Sequence, residues 1–153
     1  MNLHTLRAKI DEILRLEPDF VVGFSDMQAE IAEALIKRGV EVWISNHRSV
    51  NGIVAYVRRL GALVGAWEKA DAYARTLEAN VDKIASLAAA LPVRPRVYFE
   101  EWDEPPISCI RWVSELIGIA GGDDIFPERA AASLAKARIL EDPLEVARRA
   151  PDI

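Results

Sequence analysis

The chain has one cysteine, Cys109, in 153 residues. An internal disulfide is therefore impossible, and a thiolate-rich metal site is excluded by count. Histidine is nearly as scarce: His4 and His47 are the only two. They fall in separate elements without ligand-like spacing, so no metal site is expected from them. Basic clusters are missing too. The formal net charge is −5, and nucleic-acid partners are not expected, because phosphate binding relies on grouped Lys and Arg. No apolar run approaches the roughly 20 residues of a membrane-spanning helix, and the opening residues from Met1 to Arg7 lack the apolar core of a secretory signal. As written, the chain would stay in the cytoplasm. No glycine-rich turn links a strand to a helix, which argues against a dinucleotide or P-loop site.

What is present is enough apolar material to fold. Hydrophobic residues make up 51% and charged residues 28%, and such a balance offsets the entropy of ordering the chain.

The order of elements follows from periodicity. Leu3, Leu6, Ile10, Ile13, Leu14 and Leu16 recur at helical spacing until Pro18. The run Asp19 to Phe24 reads as a strand buried on both faces. Ser25 then caps a helix, with Gln28 completing a capping box, and Gly39 stops it. Val40 to Ser45 is a second strand, and Ser49 caps a helix with Ile53, Val54, Val57 and Leu60 inward. Strand, helix, strand, helix with tight connections predicts a parallel sheet with helical crossovers.

From Ala66 to Leu91 the rhythm changes. Trp67, Ala70, Ala74, Leu77, Val81, Ile84, Ala88 and Leu91 step by three or four without Pro or Gly, which predicts one helix of roughly 39 Å. The α/β order then resumes. Arg96 to Glu100 reads as a strand, and Glu101 to Pro106 as a loop. Ser108 caps a helix that Gly121 and Gly122 end. Asp123 to Pro127 reads as a turn, Glu128 to Ala137 as a weak helix, and Leu144 to Ala150 as a last one.

An internal repeat links the two ends. Glu12-Ile13-Leu14-Arg15-Leu16-Glu17-Pro18-Asp19-Phe20 aligns with Glu145-Val146-Ala147-Arg148-Arg149-Ala150-Pro151-Asp152-Ile153. The first copy leads into a strand, so the second predicts a strand from Pro151 onward, of which this chain holds only the opening residues.

Ligands of open α/β sheets bind beyond the carboxyl ends of strands. Three loops qualify: Phe24, Ser25, Asp26 and Gln28; Asn46, His47 and Arg48; and Glu100 to Asp103. In the third, Trp102 among Glu101 and Asp103 could stack on a planar ligand while the acids take polar groups. Cys109 beside Ser108 lacks any evident base, and no catalytic residue is assigned. An alternative keeps the acidic loop 100–103 as the general base of a transferase-like α/β enzyme subunit.

The run PDFVVGFSDMQAEIAEALIKRGVEV, the stretch RPRVYFEEWDEPPISCIRWVSELIGIAGGDDIFPE and the long helix between them resemble the helical-backbone substrate-binding proteins of ABC importers for cobalamin, iron-siderophores and haem. The resemblance covers essentially the whole chain and is nearest to the cobalamin type. It implies two Rossmann-like α/β lobes, each incomplete here, joined by one long helix. The divisions would be 1–65, 66–91 and 92–153. It further implies a ligand held in the cleft between lobes, a membrane permease as partner, a monomer, a periplasmic or cell-surface home for the full-length family, and no catalytic cofactor. Permease docking in that family uses an acid on each lobe. Those positions correspond to Asp11, next to Glu12, and to Leu144, where the acid comes one place later at Glu145.

Overall fold

The computed structural model describes residues 10–25 and 28–153. Asp26, His4 and the Leu3 and Leu6 positions of the first helix lie outside the described residues. The chain divides into two compact units, 1–47 and 48–153.

In the first unit, helix α1 runs through 10–14, and its inward residue Ile10 is 1% exposed. Strand β1 (Phe20–Phe24) leads to helix α2 (Ala29–Ile36) and back to strand β2 (Glu41–Ser45). The two strands pair in parallel, Phe20 beside Glu41 through Phe24 beside Ser45, as the strand-helix-strand order requires. Leu35 and Ala32 anchor α2 from its buried face. The strands are half-buried, with Phe24 exposed, and not sealed on both faces as the apolar run had suggested. The expected capping box also fails. Ser25 has a left-handed backbone, φ 76°, and α2 starts at Ala29 after Gln28 without a side-chain cap. Gln28 instead turns its amide oxygen back onto the Phe24 N–H at 2.7 Å.

In the second unit, Ser49 does cap helix α3 (Val50–Leu63), its hydroxyl accepting from the Gly52 N–H. Gly65, at φ 71°, reverses the chain where a side chain would be strained. Helix α4 (Trp67–Ala88) follows, shorter at both ends than the expected 66–91. The α3–α4 contact depends on two small residues, since a Cβ on Gly61 would lie 2.1 Å from the Ala70 Cβ. Beside it, Arg58 on α3 reaches Asp71 at 2.8 Å and both oxygens of Glu78 at 2.6 and 2.7 Å on α4. The α4 stripe is only partly covered: Ala74 is fully buried, whereas Trp67 and Ile84 are about half-exposed.

Beyond α4 the structure departs from the expected order. Strand β3 is only Arg96–Val97, and its parallel partner is β6 (Asp123–Asp124), where the sequence suggested a turn. On the other edge of β3, Asp152 and Ile153 bond to Arg96 and Tyr98, the Asp152 N–H reaching the Arg96 carbonyl at 2.7 Å and the Tyr98 N–H reaching the Ile153 carbonyl at 2.8 Å. The expected loop after Glu100 is an antiparallel hairpin of β4 (Glu100–Asp103) and β5 (Pro106–Ser108). Ser108 is buried in β5, 1% exposed. It does not cap helix α5 (Arg111–Ile119), which begins after Ile110 without a side-chain cap. The weak helix resolves into one turn, α6 (Pro127–Ala130), and a 3₁₀ turn at Ala135–Arg138. Helix α7 (Leu144–Arg149) closes the chain. Ile125, Phe126 and Leu140 form the core here, with Tyr98 and Val146 packed against them, and the Arg149 guanidinium lies 4.1 Å over the Phe126 ring.

The repeat has a structural counterpart. Glu17 and Ala150 both adopt φ 46°, and each precedes the Pro-Asp pair that ends a helix.

Candidate functional site

The three strand-end loops differ in how firmly they are held. In the first unit, Phe24 and His47 stack with ring centroids 4.7 Å apart. They sit at the carboxyl ends of β1 and β2, where the parallel ladder brings Phe24 opposite Ser45. The Ser45 hydroxyl bonds His47 Nδ1 at 2.9 Å, and the Ser25 N–H donates to the Ser45 carbonyl. Phe24, Ser25, Gln28, Asn46 and His47 are thus gathered at one edge of this unit, as the parallel topology predicts. Asn46, Gln28 and Phe24 are exposed and Ser25 is buried.

In the second unit, Arg48 precedes α3 and donates to the Ser133 carbonyl at 3.0 Å. The acidic loop is not a loop but the outer strand of the β4–β5 hairpin, and its acids have different fates. Glu100 accepts the Tyr98 hydroxyl at 2.9 Å. Burial, reinforced by that carboxylate, pushes the Tyr98 phenol well above its ordinary range.

Glu101 receives both terminal nitrogens of Arg138, Nη2 at 3.2 Å. Arg138 is 2% exposed, and its Nη1 also donates to the Ser108 carbonyl at 2.6 Å. One buried guanidinium therefore grips both strands of the hairpin, and the Leu140 N–H adds a bond to the Pro106 carbonyl. Among the described residues, Arg138 Nε is buried without a hydrogen-bond partner.

Trp102, next to the clamped Glu101, is 61% exposed, with its indole N–H held by the Glu104 carbonyl at 3.0 Å. Asp103 is exposed at the hairpin end. The hairpin thus presents a flat aromatic surface and a free-standing acid on a braced support. The sequence singles out Trp102 and Asp103 but gives no sign of Arg138, which lies in a segment without strong periodicity.

Cys109 is 1% exposed and approaches Asp124 at 3.5 Å. Burial, with the Asp124 carboxylate adding to it, pushes the thiol up to about 12. Such a thiol is a poor nucleophile at neutral pH. Among the described residues, no group of three His, Cys, Asp or Glu is placed to hold a metal ion, and no helix is long and apolar enough to cross a membrane.

The expected docking acids are also differently placed. Asp11 and Glu12 are exposed on α1. Glu145 is shared between Arg129 at 3.1 Å and Arg149 at 2.7 Å, with its side chain 23% exposed.

The chain is thus a mixed helix-strand protein, with parallel strands, polar and aromatic residues gathered beyond the ends of β1 and β2, and a 22-residue helix between the strand-bearing segments. Residues 2–153 match the family model described as periplasmic binding protein, and the chain belongs to that family.

Its fold is similar to the periplasmic heme-binding protein RhuT from Roseiflexus sp. RS-1 (TM-score 0.75, 20% identity, 94% of this chain and 55% of that one). It is also similar to the periplasmic vitamin B12 binding protein BtuF of Vibrio cholerae (0.73, 20%, 94% and 55%). A third similar structure is an ABC transporter substrate-binding protein from Listeria monocytogenes EGD-e (0.72, 20%, 94% and 55%). The chain spans about 55% of the length of each of these solved structures. No curated protein matches it.

Proposed function

We propose that the chain is the greater part of the binding frame of an ABC-importer solute-binding protein, one that captures a large, partly planar ligand and delivers it to a membrane permease. Cobalamin, heme and a ferric siderophore are the ligand classes in view. Two α/β lobes, 1–65 and 92–153, joined by the helix within 66–91, are the proposed layout. A periplasmic or cell-surface location and a monomeric state go with it.

The observation that carries this reading is Trp102. Its indole is 61% exposed, yet the hairpin beneath it is clamped by a buried arginine. An exposed aromatic face on a braced hairpin is what a flat macrocycle or chelate can stack on with little ordering cost. Phe24, Ser25, Asp26, Gln28, Asn46, Arg48, Glu101 and Asp103 are the proposed companions. Asp11 and Glu12 are the proposed docking acids of the first lobe. Glu145 is their proposed counterpart, acting by exchanging one of its two arginines for a permease cation.

The enzyme reading is weaker on the same geometry. Glu101 is committed to Arg138 and Glu100 to the Tyr98 hydroxyl, which leaves Asp103 without a second group to share acid-base work.

Titration of the full-length protein with hemin, cyanocobalamin and a ferric hydroxamate, followed by tryptophan quenching, tests the proposal. Binding of one of them at concentrations on the order of 10 micromolar is expected. Trp102→Ala should weaken it by about fivefold to tenfold. Absence of binding to all three overturns the reading.

A further inference from the structure

The first turn of α3 is satisfied from two directions. Ser49 caps it locally by accepting the Gly52 N–H at 3.0 Å. The Val50 N–H, one of the donors a helix leaves without an internal partner, is taken at 2.8 Å by Glu115 Oε2, from a helix 65 positions away in sequence. The other oxygen of Glu115 is held by Arg111 Nε at 2.9 Å. A carboxylate at this end of a helix also faces the positive pole of its dipole. Arg48, two residues earlier, is tied to the Ser133 carbonyl at 3.0 Å. A hollow of about 480 Å³ lies against these residues, lined in part by Asn51, Arg111, Glu115 and Val81.

We infer that Glu115 is a positioning residue. From α5 it fixes the start of α3, and with it Arg48, in the geometry that solute capture uses. The inference rests on the proposed function. Residues 48–50 are otherwise a short half-buried entry to the helix, and the remote carboxylate is what converts its direction from a local choice into one set by α5. Glutamine can still accept the Val50 N–H; alanine cannot.

The test compares Glu115→Gln, Glu115→Ala and Arg111→Ala in the full-length protein. Three readouts are taken: amide exchange at Val50, the urea midpoint, and affinity for hemin and cyanocobalamin. In Glu115→Ala, Val50 should exchange about fivefold faster and affinity should fall by about the same factor. Glu115→Gln should stay within about twofold of the parent in both, and Arg111→Ala, which frees one side of the carboxylate, should fall between.

Rescue by glutamine separates positioning from general destabilisation, which would follow the urea midpoint instead. Unchanged exchange in Glu115→Ala overturns the inference. So does faster exchange with unchanged affinity, or glutamine behaving like alanine. If Glu115→Ala fails to fold, Arg111→Ala decides alone: unchanged exchange at Val50 overturns the inference. Exchange needs no ligand, so failure of the parent to bind either probe counts against the proposed function while Val50 still reports on Glu115.

Discussion

Arg138 and Glu101 form one ion pair across the boundary of the interior: the arginine side chain is 2% exposed and the glutamate 37%. The two halves are therefore not equivalent. Removing Glu101 strands a cation inside the protein, whereas removing Arg138 leaves a carboxylate that water already reaches. Glu101→Ala is expected to cost about 3–5 kcal/mol and Arg138→Met, which fills most of the same volume, about 1–3 kcal/mol. Urea denaturation of the two variants checks the order; Arg138→Met proving the more damaging would contradict the assigned geometry.

Cys109 makes stability fall in alkali. Its folded-state value, about 12, lies above its ordinary 9.0, so the unfolded chain releases the thiol proton first. The stabilisation is complete below about pH 9 and is lost as pH rises from there towards 12, because the unfolded state binds fewer protons in that window. Tyr98 is displaced in the same direction and adds to the slope. Denaturation midpoints measured from pH 8 to 10.5 should decline in the parent and decline less in Cys109→Ala. An identical slope in the two proteins would remove the thiol as a cause.

Periodicity made the helices legible and pairing partners remained hidden. Ser49 stands before an apolar stripe with nothing competing for its hydroxyl, and the cap forms as expected. Ser25 stands at the same kind of position, but the backbone there is left-handed and Gln28 spends its amide on the Phe24 N–H. Glu101 to Pro106 reads as a loop because acids and prolines dominate it; its first residues are a strand because β5 pairs with them and Arg138, 37 positions from Glu101, clamps the hairpin. Asp123-Asp124 carries no strand propensity and is extended because β3 offers it a ladder. Of the candidate site, Trp102 was legible by its cost of exposure, while its support was not, since a buried arginine has no periodic signature.

Gly61 and Gly118 should respond oppositely to alanine. A methyl on Gly61 would meet the Ala70 Cβ at 2.1 Å, whereas one on Gly118 meets nothing within 4 Å. Gly61→Ala must push α3 from α4, straining the Arg58 bonds to Asp71 and Glu78, at a cost of about 1–3 kcal/mol. Gly118→Ala lies within α5 and should stabilise by about 0.4–1 kcal/mol through a less flexible unfolded chain and better helix propensity. Thermal unfolding of both variants measures the contrast, and equal effects would contradict the close α3–α4 approach.

The repeat offers a test in which two distant residues behave alike. Glu17 and Ala150 each hold φ 46°, a region where a Cβ costs roughly 1–2 kcal/mol, and each is followed by a proline that prevents the helix from continuing. Glycine there removes the steric penalty but gives back about 0.4–1 kcal/mol in unfolded-state entropy. Glu17→Gly and Ala150→Gly should therefore each be neutral to stabilising, by up to about 1 kcal/mol. Alanine at 17 isolates the side chain from the backbone: it keeps the Cβ and should bring no gain. Destabilisation by glycine at either position, measured by urea denaturation, would mean that its left-handed turn carries no strain and that the two helix endings are alike in sequence only.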